Sequence, residues 1–256
     1  EEPKFLSDDI YEAIKIISLR NPKQEVHINK CMENWIDILS PIEGTVKILN
    51  ELKENGCIDT VVMPVLFDAK TKVAMTSTVD RARRNASTAI LSVGRFAPHK
   101  RIEKLIEMFS IYLEKVDHRA QLHLVGSSAS RWYQDSLYQL INELKIKNSI
   151  IFHDQITDAE LSSLYARADV YLCMSAHEGF CVPIVEAMHN HLPIVSSNGG
   201  AISETLNGAG IVLDVDAPLI DYVAALDLAV NNELVRADLV ESSKKSSGVL
   251  DLDLET

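Results

Sequence analysis

The chain has no excess of positive charge. Its 25 Lys and Arg stand against 37 Asp and Glu, a formal net charge of -12. A nucleic-acid binder needs a basic face to neutralise phosphates, so no nucleic-acid partner is expected. The one basic cluster, Arg81, Arg83 and Arg84, falls in an expected connector. A solvated surface and a contact with anionic lipid headgroups both fit it. No apolar run approaches the roughly 20 residues of a membrane-spanning helix, and Glu1-Glu2-Pro3-Lys4 does not resemble a signal peptide. The four cysteines, Cys31, Cys57, Cys173 and Cys181, show no C-x-x-C spacing, so reduced cytosolic thiols are expected in place of a disulfide framework. His189 and His191 have no third ligand in reach by sequence, and no metal site is expected. There is no G-x-G-x-x-G with a downstream acidic residue, which disfavours a nicotinamide-dependent oxidoreductase. Also missing are the P-loop, the G-x-S-x-G nucleophile elbow, H-E-x-x-H and any internal repeat.

What is present suits a sizeable core. Of 256 residues, 46% are hydrophobic and 24% charged, enough for one large domain or up to two. The first third reads as helices at about 8–20, 31–39 and 42–55, with short strands at 26–28 and 60–63. Residues 66–88 lose apolar periodicity and gain charge, as a connector does. From Thr88 the pattern becomes regular. Strands are expected at 89–93, 121–125, 150–152, 170–173, 194–196 and 211–213. Helices are expected at about 102–116, 130–145, 158–167, 183–190, 201–206 and 217–230, the last capped by Asp216 with Pro218 in its first turn. Several strands are near-continuous apolar runs, which a parallel sheet covered on both faces requires. The expected fold is therefore α/β, a doubly wound parallel sheet over 88–256, preceded by a smaller, mainly helical segment over 1–87. The polar tail around Ser242-Ser243-Lys244-Lys245-Ser246-Ser247-Gly248 is expected to fray.

Ligands in such sheets bind beyond the carboxyl ends of the strands. After the fourth strand comes His177-Glu178-Gly179-Phe180-Cys181-Val182-Pro183-Ile184-Val185-Glu186-Ala187-Met188. Gly179 permits close backbone approach, and Pro183 suits a first helical turn. The N–H groups of that turn suit a phosphate, and Glu186 suits a diol such as ribose. On these residues alone two readings stand. Glu178 is a loop charge and Glu186 a solvated helix position, or the two carboxylates bracket half of a nucleotide-sugar site. Arg95 and Lys100 flank the loop after the first strand, either as phosphate ligands or as ordinary surface cations. Gly126-Ser127-Ser128 follows the second strand. Ile156 lies in Asp154-Gln155-Ile156-Thr157, which holds a base edge through its backbone or simply caps a helix. Asn198-Gly199-Gly200 reads as a helix entry, and the pair Asp214 and Asp216 reads as capping more readily than as a divalent-cation site.

Taken in order, Gly94-Arg95 with Lys100, Leu124-Val125-Gly126, Ala168-Asp169-Val170, Glu178-Gly179-Phe180, Pro183 with Glu186-Ala187-Met188, Pro193-Ile194-Val195 and Gly199-Gly200 with Glu204 resemble the donor half of the retaining GT-B glycosyltransferases of family 4. Glu178 and Glu186 bracket seven residues, as in that family's E-x-x-x-x-x-x-x-E signature. The resemblance implies a Rossmann-like donor domain and transfer of a hexose, with retention, from a GDP- or UDP-linked sugar to a glycan or lipid-linked acceptor. It implies no metal or other cofactor. Arg95 and Lys100 would bind the diphosphate, Glu178 the sugar hydroxyls and Glu186 the ribose. Gly126, Ile156 and His177 would lie along the donor, and the backbone N–H groups of Gly179, Phe180, Cys181 and Val182 would line its pocket. The family often has glycine where Cys181 stands. Residues 1–87 are too few for a complete acceptor domain, so a nucleotide-sugar-binding module without catalysis of its own is the alternative. The implied setting is cytoplasmic, with peripheral contact at the inner membrane face.

Overall fold

A computed structural model describes residues 87–250 except Ala129, all within one compact unit. The helices and strands expected before residue 87, the basic cluster, Cys31 and Cys57 lie outside the described residues. The strands are β1 (Ala89–Val93), β2 (Gln121–Val125), β3 (Ile150–His153), β4 (Val170–Cys173), β5 (Ile194–Ser197) and β6 (Ile211–Leu213). The α-helices are α1 (Ile102–Lys115), α2 (Arg131–Leu144), α3 (Asp158–Arg167), α4 (Val182–His189), α5 (Ile202–Leu206), α6 (Leu219–Asn231) and α7 (Glu233–Leu250). All strand pairs are parallel, in the order β3-β2-β1-β4-β5-β6. This is the expected doubly wound α/β sheet, and its winding reverses between β1 and β4.

The near-continuous apolar strands bury both faces, because successive side chains point to opposite sides. Ile90, Leu122, Leu124, Leu172 and Val195 pack with α1, α2 and α6. Leu91, Tyr171, Cys173 and Ile194 face the other way, onto α3, α4 and α5. Helix α1 shows why it docks: Ile102, Leu105, Ile106, Phe109, Tyr112 and Leu113 recur at intervals of three and four and are all buried. Phe109 is wholly buried, and burying such a side chain contributes about 1.5–3 kcal/mol. Among the described residues, no helix is long and apolar enough to cross a membrane.

Two expectations are corrected. The polar tail is not frayed. It forms α7, in which Ser243, Ser246 and Ser247 are buried. Ser243 Oγ donates to the Ala209 carbonyl at 3.4 Å and Ser246 Oγ to that of Asn207 at 3.2 Å. Serine is small enough to pack against that loop, so the buried face carries no apolar periodicity. Asp216 does not cap α6, because Pro218 holds the N-cap position. Asp214 instead closes a turn, its Oδ1 accepting from the Asp216 N–H at 2.9 Å.

Asp117 ties the entry of β1 to the end of α1. Its Oδ2 accepts from the Thr88 N–H at 3.1 Å and from Thr88 Oγ1 at 2.9 Å, and its Oδ1 from the Arg119 N–H at 2.9 Å. Burial pushes its pKa up, but the bonds from Thr88 and Arg119 outweigh that and hold it below the ordinary carboxylate value. A depressed folded pKa stabilises the fold above the unfolded value, near pH 4, and the contribution is lost as pH falls through the folded value. The stability difference between wild type and Asp117→Asn, measured by urea denaturation, should therefore be constant above about pH 5 and shrink below about pH 4.

Candidate functional site

The reversal of winding leaves a crevice between the loops that follow β1 and β4. The β1 loop runs through Arg95 to a single 3-10 turn, Pro98–Lys100. Its His99 carbonyl accepts from the Ala176 N–H at 2.7 Å, which seats it on the β4 loop. That contact brings Lys100 Nζ onto Glu178 Oε1 as an ion pair, with both side chains largely buried. Ser175 Oγ donates to the same Oε1 at 2.6 Å, so both bonds fall on one carboxylate oxygen. Lys100, Ser175 and Glu178 line a small cleft together with Ser92, Gly94 and Cys173.

The β4 loop is held from below. Ser197 Oγ, at the end of β5, donates to the Ser175 carbonyl at 2.6 Å. The Ala201 N–H donates to the Glu178 carbonyl at 2.9 Å, and Thr205 Oγ1 to that of Phe180 at 2.7 Å. Gly199 lies under this loop so closely that a Cβ there would stand 2.2 Å from the Ser175 carbonyl oxygen. The expected helix entry at Asn198-Gly199-Gly200 therefore also supports the loop that carries Glu178. Gly126 plays a similar part between β2 and β1. Its φ is +136°, and a Cβ would lie 2.1 Å from the Gly94 carbonyl oxygen. Its own N–H is taken by the His153 carbonyl at 3.0 Å, so Gly126 presents no free amide.

Helix α4 begins at Val182 with Pro183 in its first turn, and Cys181 caps it at φ 64°. That left-handed conformation costs a non-glycine residue roughly 1 kcal/mol. Among the described residues, none of the amides of Gly179, Phe180, Cys181 and Val182 donates to a backbone carbonyl. They form a cluster of open donors at the positive end of the helix. Gly179 and His177 are exposed above them. The Cys181 side chain is buried, turned toward Cys173. The bond from Cys181 lowers the Cys173 pKa against the opposing effect of burial. The same bond raises that of Cys181.

Glu186 lies one turn farther on and is only 7% exposed, so the solvated-position reading falls. Its Oε2 accepts from the Tyr165 hydroxyl at 2.9 Å. Burial first, and then the Glu186 charge, pushes the Tyr165 pKa well above its ordinary value, which keeps it a donor. Glu178 is likewise buried and paired, not a free loop charge. Arg95 is exposed and does not line the cleft. Ile156 is half-buried and joins the same apolar cluster as Phe180. The turn after it caps α3, since Thr157 Oγ1 accepts from the Glu160 N–H and Glu160 reaches back to the Thr157 N–H.

Sequence reasoning missed Ser175, Ser197 and Tyr165. Ser175 follows the apolar β4 run directly, and its place before Glu178 was a usable signal. Tyr165 stands 21 residues before Glu186, on another helix, and nothing local marks it.

Residues 78–246 match the family described as glycosyl transferases group 1. The O-antigen chain mannosyltransferase B of Escherichia coli is 32% identical over 124 residues, 48% of this chain and 32% of that protein. The GDP-mannose:cellobiosyl-diphosphopolyprenol alpha-mannosyltransferase of Komagataeibacter xylinus is 31% identical over 139 residues, 54% of this chain and 35% of its own. The chain thus spans about a third of the length of these curated relatives. Among solved structures, the C-terminal domain of a glycosyl transferase group 1 family protein (LpcC) of Francisella tularensis superposes with TM-score 0.56 at 22% identity, covering 63% of this chain and 85% of that one. WaaG, a glycosyltransferase involved in lipopolysaccharide biosynthesis, gives TM-score 0.61 at 18% identity over 77% of this chain and 53% of its own. These two likenesses concern the fold. With the family match covering most of its length, the chain belongs to the glycosyl transferases group 1 family.

Proposed function

We propose that the chain is the donor-binding half of a retaining, metal-independent glycosyltransferase of family 4, which moves a mannosyl residue from a GDP-linked donor to a glycan or lipid-linked acceptor. The observation that carries the reading is the row of open amides from Gly179 to Val182 at the entry to α4, bracketed by the buried carboxylates Glu178 and Glu186. The amides and Lys100 hold the diphosphate, and exposed Arg95 swings onto it. Glu186, braced by Tyr165, takes the ribose hydroxyls. His177 lies over the sugar end, with Gly126 and Ile156 along the nucleotide. The names of the two curated mannosyltransferases support mannose, and that of the second supports GDP. A lipid-linked acceptor places the reaction at the inner membrane face.

The chemistry follows from charge. As the glycosidic bond breaks, negative charge builds on the leaving diphosphate, and donors already aimed at it stabilise that charge without reorganising. A cation about 4 Å away contributes on the order of 4 kcal/mol at an effective dielectric near 20, before desolvation. Before the donor arrives, Lys100 and Glu178 neutralise each other inside the crevice. On binding, the ammonium turns to phosphate and Glu178 turns to the sugar hydroxyls. The second reading is a nucleotide-sugar-binding module without catalysis of its own, and it rests on the same amides and carboxylates.

Calorimetry with GDP, UDP and NADH tests the proposal. Nucleoside diphosphate should bind and NADH should not. Glu186→Ala should abolish binding, and Tyr165→Phe should weaken it by up to about tenfold, the worth of one hydrogen bond. NADH binding, or full affinity in Glu186→Ala, removes the reading. Hydrolysis or transfer of GDP-mannose by this chain separates the enzyme from the binding module.

The two cations should separate as well. Lys100→Ala strands a buried carboxylate and should lower both nucleotide affinity and stability, the latter by about 3 kcal/mol. Arg95→Ala should lower affinity alone. Unchanged affinity in both variants would remove the phosphate assignment. EDTA should leave nucleotide binding intact, and loss of binding would restore Asp214 and Asp216 as a cation site.

A further inference from the structure

We infer that Cys173, Cys181 and Glu178 form a site for a thiophilic divalent cation of the Zn2+ class, and that filling it competes with the nucleotide sugar. The competition rests on the donor reading of Glu178; the cation site does not. Cys173 ends β4, Cys181 caps α4, and Glu178 lies in the loop between them. Their ligand atoms, two sulfurs and a carboxylate oxygen, all lie within 4.8 Å of one another. In a tetrahedral zinc site, metal–sulfur bonds of about 2.3 Å place the sulfurs roughly 3.7 Å apart, so the set closes with movements of about 1 Å or less. The ligands are soft sulfurs, which select Zn2+ or Cd2+ over Mg2+ or Mn2+.

Charge balance favours the exchange. With neutral thiols, Lys100 is the cation that offsets Glu178 among the described residues. A divalent cation displaces the two thiol protons to solvent. Two thiolates and one carboxylate then offset the cation and Lys100, and the buried group stays neutral. Because Lys100 and Ser175 both hold Oε1, Oε2 is the oxygen that turns to the cation. Cys173 and Glu178 line the cleft beside Lys100, which gives the cation its entry and its fourth, exchangeable position. Once coordinated, Glu178 is withdrawn from a sugar hydroxyl, and the cation holds Cys181, whose amide is one of those offered to the diphosphate.

The test titrates the full chain with Cd2+ under a phosphine reductant, following the thiolate-to-cadmium charge-transfer absorbance. One equivalent should saturate it, two protons should be released, and Zn2+ should bleach it. The signal should persist in a Cys31→Ser/Cys57→Ser variant and vanish in Cys173→Ser and in Cys181→Gly. Glycine suits the φ of 64° at that position, so the second variant keeps the fold. An absent signal, one that survives both single variants, or one that requires Cys31 and Cys57, overturns the site. A native disulfide between Cys173 and Cys181 that persists in reductant overturns it too. GDP-mannose calorimetry then tests the competition. Affinity should fall at least tenfold with Zn2+ in wild type, and Zn2+ should have no effect on Cys181→Gly. Unchanged wild-type affinity overturns the competition. If the metal-free chain does not bind GDP-mannose, the donor reading fails and the competition with it, while the Cd2+ titration still decides the site.

Discussion

The ion pair between Lys100 and Glu178 is the contact on which the crevice depends. It joins residues 78 apart in the chain, one after β1 and one after β4. A buried charge is tolerated only when it is paired and hydrogen-bonded, so each of these residues dictates where the other loop lies. Ser175 adds a second donor to the same oxygen, and the His99 carbonyl fixes the two loops backbone to backbone. Remove the pairing of β1 with β4 and neither charge has a buried place to be.

Beneath the pair lies a lattice of small residues. Ser197 and Gly199 hold the β4 loop from the β5 side by one hydrogen bond and one close approach. Neither residue needs to touch a ligand to matter to one. This is why a stretch that reads as a helix entry contributes to the site: it sets the height of the loop that carries Glu178. The buried thiols follow from the same packing. Cys173 points out of β4 into the cluster with α4, and the cap at Cys181 returns the chain over it.

Much of the fold was legible because local chemistry decides it. The apolar runs at 89–93, 121–125, 170–173 and 211–213 are strands over those same residues, and β3 and β5 extend one residue beyond the expected bounds. Capping at Thr157 and proline at the start of α4 were readable for the same reason. α7 was not, because Ser243, Ser246 and Ser247 are buried by shape and hydrogen bonding, not by hydrophobicity. The Asp214–Asp216 turn was misassigned because an aspartate that closes a turn and one that caps a helix look alike in sequence.

By itself, then, the sequence determined the strand and helix segments, their alternation, and the fact that chemically useful residues follow the strands. Side-chain periodicity and turn chemistry are local properties, carried by neighbours in the chain. Only the tertiary structure decided that β1 lies beside β4, that Lys100 is spent on Glu178, that Glu186 is buried against Tyr165, and that two cysteines and a glutamate converge. The reason is that strand order and burial arise from which faces cover one another across the sheet, and no window of sequence contains both partners of such a contact.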